Sequence, residues 1–530
     1  MTESIHSAAT EHGLGVIKKV LILGGGSAGW LAANHLAKNL RANQENGIEV
    51  ILVESPNIPT IGVGEGTVPA MRNTLKYFGI SETEFITQCD ATFKQGIKFV
   101  DWLNNPNQGQ PDHYHHVFDY PNISEINLTP YWLMQPETAK KSFVDALSVQ
   151  GKICDAGLAP KLITTPEFQG VTSYAYHLDA GKFTQILTKN AVTKLGVKHI
   201  RAEVKAITQH DNGEIKSVLT DEHGEIFADF FVDCSGFRAL LIDKTLEVGF
   251  IDKSDVLFAD HAVAIQVPYE HQDTDIPSFT LASAQSCGWI WDIGLKQRRG
   301  IGHVYSSAHI SHEQAEQDLR SYIGSAANNI ESRLLKMRIG YREKFWHKNC
   351  VALGLAQGFV EPLEATGLLV FDATAKMLAE RFPIGKSDMA LLATQFNQQV
   401  KQSWDSVIEF VKLHYCLSQR TDSDFWRENR QPNTIPERLK ERLARWRFQP
   451  PSAYDFTSKD EVFNLDNYLY VLYGMKFDTE SEHLAGRFAD REKADQMFAE
   501  QQAYLQTLLK NLPSHRQLID KIHQFGLQKY

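Results

Sequence analysis

The sequence predicts a mixed α/β fold: a Rossmann-like nucleotide-binding module with a mainly helical C-terminal part. Three observations predict it. An apolar run leads into Gly24-Gly25-Gly26-Ser27-Ala28-Gly29 and a helix-forming stretch; two later apolar runs each end in a small-residue turn; and the last third carries apolar residues at helical spacing. A chain of 530 residues, 43% hydrophobic and 22% charged, can bury large cores and, at roughly 150 residues per domain, build more than one module. The expected division is a flexible tail over 1–15, a discontinuous nucleotide module over 16–385 in which 100–170 contributes to a ligand pocket, and a helical cap over 386–530.

The run Val16–Leu23, VIKKVLIL, reads as a strand buried in a parallel sheet. The glycines that follow fit G-x-G-x-x-G, and Trp30 to Leu40 continues as helix. Gly24 permits the tight turn, Gly26 lets a pyrophosphate approach the backbone between it and Ser27 and Ala28, and Gly29 lets helix and strand pack. A second strand, Glu49–Val53, ends at Glu54, whose distance from Gly29 suits an acid that binds ribose hydroxyls. This context points to an adenine dinucleotide and leaves FAD and NAD open. The stretch 229–241, DFFVDCSGFRALL, and the stretch 349–358, NCVALGLAQG, each bring an apolar strand to a small-residue turn, the second carrying Leu355. The loop Phe359–Gly367 then precedes a helix over Leu368–Phe382, so that Thr366 and Gly367 offer backbone N–H groups to an anion. Such a discontinuous module resembles the FAD domain of flavoprotein monooxygenases.

In the last third, Leu391, Leu392, Phe396, Val400, Trp404, Ile408 and Val411 form one apolar stripe. Ala494, Met497, Phe498, Tyr504, Leu505, Leu508 and Leu512 form another. Both are expected in the core, with Pro383 and Pro513 marking helix ends. No stretch reaches the roughly 18 apolar residues of a membrane span, and the polar start lacks a secretory pattern, so a soluble cytoplasmic protein is expected. Six cysteines without a C-x-x-C pair predict reduced thiols and neither zinc nor disulfides. The net charge of -10, without a basic block, argues against nucleic acid and anionic membranes and for small-molecule partners.

At Gly62-Val63-Gly64-Glu65-Gly66-Thr67-Val68-Pro69 the chain resembles the flavin-dependent tryptophan halogenases. The likeness continues through Phe93-Lys94-Gln95-Gly96-Ile97-Lys98-Phe99-Val100-Asp101-Trp102, His177-Leu178-Asp179-Ala180, FVDCSGFR, FVEPLEATG, His414-Tyr415, Ser418, Arg420, Asp422 and Phe425-Trp426. It implies FAD used as FADH2, a halide ion (bromide or chloride), oxygen, and hypohalous acid as the halogenating species. It further implies cofactor contacts at Gly62, Val63, Gly64 and Glu65, halide at Thr366 and Gly367, and catalysis by Lys94 and Glu364. A lysine ammonium can hydrogen-bond the hypohalite and a free amine can form a haloamine; both remain open. Glu364 is expected to orient Lys94 or to accept the ring proton.

The family signature W-x-W-x-I-P is met by Trp289-Ile290-Trp291-Asp292-Ile293-Gly294 except at its end, where glycine replaces proline and implies a looser or differently shaped segment. The same two tryptophans also fit plain packing on one face of a strand. The resemblance implies that His116 and Phe118 sandwich a flat aromatic substrate and that Phe463 stands where a tryptophan wall is usual. The histidines around His116 lack a partner motif, so no metal is expected. The positions that clamp the amino-acid group in tryptophan-specific members align with Pro451, Ser452 and Ser458, leaving Tyr454 and Glu461 as nearby substitutes. Indole, a substituted indole or a phenol is therefore expected in preference to free tryptophan. The absence of a second dinucleotide fingerprint points to a separate NAD(P)H-dependent flavin reductase as partner, while the oligomeric state stays open, a homodimer included. The competing readings are an FAD-dependent aromatic hydroxylase and a non-catalytic flavoprotein.

Overall fold

The computed structural model describes residues 15–58, 64–106, 112–121, 126–456, 461–480, 486 and 488–529. Its centre is a six-stranded sheet in the order Trp346–His347, Cys350–Ala352, Phe230–Asp233, Lys19–Leu23, Glu49–Glu54, Lys198–Arg201. The last five run parallel, so the two later apolar runs return to the sheet of the first strand, Phe230–Asp233 beside it and Cys350–Ala352 beside Phe230–Asp233. Parallel strands are covered on both faces, and Val20, Leu21 and Ile22 are fully buried. The first strand is shorter than the expected Val16–Leu23, because Val16 is exposed and only bridges to Gly385.

The helix Ser27–Asn39 buries every residue from Gly29 to Ala37. Alanines and leucines dominate that run, so the helix can lie flush between the sheet and the helices Ala180–Thr193 and Thr366–Glu380. A seven-stranded sheet, Arg333–Lys336, His261–Pro268, Arg298–Tyr305, Gly288–Gly294, Thr280–Gln285, Gly96–Val100, His113–Val117, stands beside the nucleotide sheet. Gly64–Gly66, Ala175–Asp179 and Thr92–Lys94 form a small antiparallel sheet, whose first strand packs on Gly288–Gly294 and Arg298–Tyr305.

The C-terminal part is helical as expected, led by the 28-residue helix Met389–Cys416. Two stripe residues depart from the expectation: Leu391 is 76% exposed and Tyr504 is 49% exposed. Each precedes a leucine, and one residue on a helix turns about 100°, which carries Leu391 and Tyr504 off the packed face that Leu392 and Leu505 approach. The helix Thr366–Glu380 stops before Phe382, since the residue preceding Pro383 is disfavoured in helical geometry. Pro513 separates the helices Arg491–Asn511 and His515–Phe525. The largest buried cluster runs from Ile17 to Leu527. All six cysteines are free, and no helix among the described residues is long and apolar enough to cross a membrane.

Candidate active site

The glycine turn has the geometry its sequence requires. Gly24 sits at φ +117°, where a Cβ would lie 2.2 Å from the Cys234 carbonyl oxygen, and a Cβ at Gly29 would lie 1.9 Å from the Gly24 carbonyl oxygen. Neither position tolerates a side chain. A Cβ at Gly26, by contrast, would meet nothing within 4 Å. Gly26 is also the N-cap of the helix Ser27–Asn39, which has no side-chain cap and no acidic residue in its first turn. Its free N–H groups therefore face open space suited to a phosphate.

That space is one end of a cavity of about 560 Å³. Gly24, Gly26, Ser27, Ala28, Glu54, Gly64, Glu65 and Leu355 line it, with Gly29 packed beneath the turn. Glu54 accepts a 2.7 Å hydrogen bond from His199 Nε2, which aims its carboxylate beside Gly25. Burial, reinforced by the charge of Asp179, pushes the Glu65 carboxyl up to about 7. Gly62 and Val63 lie outside the described residues.

At its other end the cavity reaches Lys94, Trp289, Trp291 and Gly367. Lys94 closes the strand Thr92–Lys94 and lies beside Gly66, where a Cβ would come within 3.1 Å of its Nζ. The side chain is 1% exposed and has no hydrogen-bond partner among the described residues; its Nζ rests 5.4 Å from the centre of the Phe118 ring. Burial pulls the lysine down to about 8, against the opposing pull of the Glu364 charge. Glu364 itself is 3% exposed. His116 Nδ1 lies 2.9 Å from its Oε2 and His414 Nε2 lies 2.9 Å from its Oε1. Burial alone would raise this carboxyl, yet the two imidazoles hold it at about 2.

Thr366 opens the helix Thr366–Glu380 after Ala365, whose φ of 55° is left-handed. The Thr366 hydroxyl is buried without a hydrogen-bond partner among the described residues, an unsatisfied donor at a helix N-terminus. Trp289 and Trp291 project from the same face of the strand Gly288–Gly294, and Trp289 Nε1 donates a 2.7 Å bond to Glu361. Phe463 stacks on Phe410 at 3.9 Å between ring centres. His113, His115 and Asp155 bring three ligand atoms within 4.8 Å of one another, but the Lys98 ammonium already contacts Asp155 at 2.7 Å.

The tryptophan halogenase family model matches residues 19–490. A tryptophan halogenase of Shewanella frigidimarina is 41% identical and superposes with a TM-score of 0.93, covering 98% of this chain and 99% of that one. The chain belongs to the tryptophan halogenase family. A flavin-dependent halogenase of Xanthomonas campestris, 30% identical with a TM-score of 0.86, covers 97% and 99% of the two chains. A tryptophan 7-halogenase of Lentzea aerocolonigenes is 34% identical over 96% of this chain and 99% of its own length. The chain is thus an enzyme of halogenating type, with the mixed α/β fold of its solved relatives.

Within this halogenase the Gly26 opening, the uncapped helix and the continuous cavity fit the FAD that the family implies. The Gly294 position is closely packed. A Cβ there would come 2.8 Å from Ile276 Cγ2 and 3.0 Å from the Tyr269 hydroxyl, so a side chain enters only if those two side chains shift. Neither substitute for the amino-acid clamp is available as such. Tyr454 is 92% exposed, and Glu461 is bound by Arg442 at 3.0 Å; Ser458 lies outside the described residues. Ser452 is committed to its own turn, where its N–H donates to Asp455 at 2.9 Å. Sequence reasoning gave no role to His414, Glu361 or Asn467. The first had a legible signal, a histidine inside the apolar run of a long helix.

Proposed function

We propose that this halogenase acts on a flat, electron-rich aromatic ring such as indole, and that free tryptophan is not its preferred substrate. It works with FADH2 and a halide, bromide or chloride. The observation that carries the reading is Lys94: a buried amine without a hydrogen-bond partner among the described residues, at the end of a dinucleotide cavity, with a carboxylate acting on it. When bound, reduced flavin supplies the electrons with which oxygen converts halide to hypohalous acid.

Gly24, Gly26, Ser27, Ala28 and Glu54 hold the adenine end of the dinucleotide, and Gly64, Glu65 and Leu355 line its path; Gly62 and Val63 belong to the same proposal. Thr366 and Gly367 offer a hydroxyl and backbone N–H groups to the halide. Lys94 retains the hypohalous acid. At about 8, its amine is divided between charged and neutral forms near neutral pH, so both a hydrogen-bond donor and a nucleophile are accessible. His116, Phe118 and Phe463 form the aromatic walls, and Trp289 and Trp291 separate ring from flavin. Once the halogen has bonded to the ring, the C–H proton passes to a Glu364 oxygen and the C–H electron pair restores aromaticity. A carboxylate held at about 2 is a weak base, which suffices because the halogenated ring cation is a strong acid. The missing amino-acid clamp favours indole over tryptophan. A separate flavin reductase supplies FADH2.

The test is mass spectrometry of products formed with FAD, a flavin reductase, NADH and bromide, on indole and tryptophan in parallel. The expected result is mono-bromoindole, absent with Lys94→Ala, and a kcat/KM for tryptophan at least about tenfold lower, the effect of one unpaired polar group on binding. Equal or faster bromination of tryptophan would overturn the substrate assignment. A hydroxylated product would overturn the halogenation chemistry.

A further inference from the structure

Lys94 has no hydrogen-bond partner for its amine among the described residues, so the amine is aimed by the backbone that carries it. That backbone is a three-residue strand, Thr92–Lys94, paired on one side only, with Ala175–Asp179. In an antiparallel pair, alternate residues turn their N–H and C=O groups away from the partner strand. Phe93 is one of them. Tyr176, opposite it, bonds Thr67 on its far side: the Tyr176 C=O accepts the Thr67 N–H at 2.8 Å and the Tyr176 N–H donates to Thr67 Oγ1 at 2.9 Å. Gln95, two residues on, turns the same way as Phe93. A buried edge with these two N–H groups unmet would be costly.

Two acceptors meet them. The Gln95 N–H donates to the Ser278 C=O at 2.7 Å, and the Phe93 N–H donates to His515 Nε2 at 2.9 Å. His515 Nδ1 in turn donates to the Ile276 C=O at 2.9 Å. A carbonyl only accepts and a backbone N–H only donates, so the one ring proton sits on Nδ1 and Nε2 is free to accept. Burial pulls the imidazole down to about 4, so the ring keeps this form at neutral pH. His515 is fully buried and is itself held from outside the strand. It opens the helix His515–Phe525, where its own N–H donates to the Gly157 C=O at 2.9 Å and the Pro513 C=O accepts the Ala159 N–H at 3.0 Å. Its neighbour Arg516 donates to the Thr274 and Lys296 carbonyls, each at 2.7 Å.

We propose that His515 is a positioning residue for Lys94: it supplies the hydrogen-bond partner that the strand Thr92–Lys94 lacks at Phe93, and so sets where the amine points. It touches no reacting atom. Phe93 and Lys94 are adjacent, so a shift of the strand at Phe93 carries the Lys94 Cα with it, and the lysine side chain makes no hydrogen bond that would hold the amine in place. The same imidazole ties the strand to Ile276, and the Ser278 C=O that receives Gln95 lies two residues further along that segment. The catalytic consequence rests on the halogenase reading of Lys94, whereas the anchoring of the strand does not.

Asparagine and glutamine separate the two ring contacts. An asparagine amide reaches only as far as Nδ1, so it can donate to Ile276 but leaves Phe93 unmet; a glutamine amide reaches the Nε2 position and can accept from Phe93. In indole bromination, kcat should fall at least about tenfold in His515→Asn and return near the wild-type value in His515→Gln, a misplacement of about 1 Å being enough to cost about a hundredfold. The KM for indole and the affinity for FAD should stay as in the wild type, because neither Phe93 nor His515 lines the cavity. A wild-type kcat in His515→Asn overturns the proposal. So does an equal loss in both variants, or a loss of FAD affinity alongside kcat, since either indicates a packing role. The second readout needs no turnover. In protein labelled with 13C at the lysine ε-carbon, the Lys94 signal is the one missing from Lys94→Ala. It should move in His515→Asn and return to its place in His515→Gln. A signal unmoved in His515→Asn overturns the positioning role, whether or not the protein halogenates anything. Where His515→Asn does not fold, 15N-labelled wild-type protein decides: a scalar coupling between the Phe93 amide nitrogen and His515 Nε2 is expected, and its absence overturns the proposal.

Discussion

Lys94 and Glu364 carry opposite consequences for stability. Burial lowers the lysine from 10.5 to about 8, so the folded protein bears the full cost of its ammonium below pH 8, and the cost fades as pH rises towards 10.5. Lys94→Met, similar in volume and uncharged, should therefore stabilise the protein at pH 7 by on the order of 3 kcal/mol, each pKa unit being worth about 1.4 kcal/mol. The advantage should vanish near pH 10.5, and halogenation should drop by at least about a hundredfold, the usual scale for a lost acid–base or nucleophilic group. Thermal melts at both pH values decide it, and equal stability at pH 7 would mean that the ammonium is solvated or paired. Glu364 runs the other way. Held at about 2 against an ordinary 4.5, it contributes stability that is complete above pH 4.5 and lost as pH falls towards 2. The two residues were legible as a motif because each sits in a short string; the imidazole that partners Glu364 was not, since His414 is 50 positions away and His116 is 248 away.

Among elements, the strand Gly288–Gly294 shows how a local rule and a tertiary contact diverge. Glycine in place of the family proline reads, by backbone freedom alone, as a loosened segment, yet Ile276 and Tyr269 close over the position from outside the strand. No property of the string Trp289–Gly294 could reveal residues 276 and 269 on top of it. Restoring proline should therefore damage the protein. Gly294→Pro is expected to lose about 1–3 kcal/mol, the range for forcing extra carbons into a packed interior. Adding Ile276→Ala should return part of that loss by removing the 2.8 Å neighbour. Urea denaturation of the single and double variants is the check, and a proline variant as stable as wild type would mean that the strand end can shift. The glycine turn was legible for the converse reason. Gly29 meets the Gly24 carbonyl within the same strand, turn and helix, so its spacing encodes that contact, whereas the Cys234 carbonyl that excludes a side chain at Gly24 comes from a strand far along the chain.

For the molecule as a whole, the sequence established which strands return to one sheet, because each apolar run ends in its own small-residue turn; it could not show how far along the chain one cavity would draw its walls. Segments from Leu23 to Phe371 line that cavity, including the strand Arg333–Lys336, which no motif marked, and among the described residues none after Phe371 lines it. The proposed division at residue 385 has a measurable consequence here. A ligand binding the native state alone raises stability by about 2.7 kcal/mol at a hundredfold excess over its Kd. Local openings, however, are suppressed only where the ligand touches. FAD should therefore slow amide exchange at residues 23–28, 64–66, 234–240 and 333–337 on the timescale of local fluctuation. The helix Arg491–Asn511 should respond only through the global unfolding limit. Early-time protection of that helix equal to that of the glycine turn would mean that the C-terminal helices and the nucleotide module open as a single unit, and the division at 385 would fall.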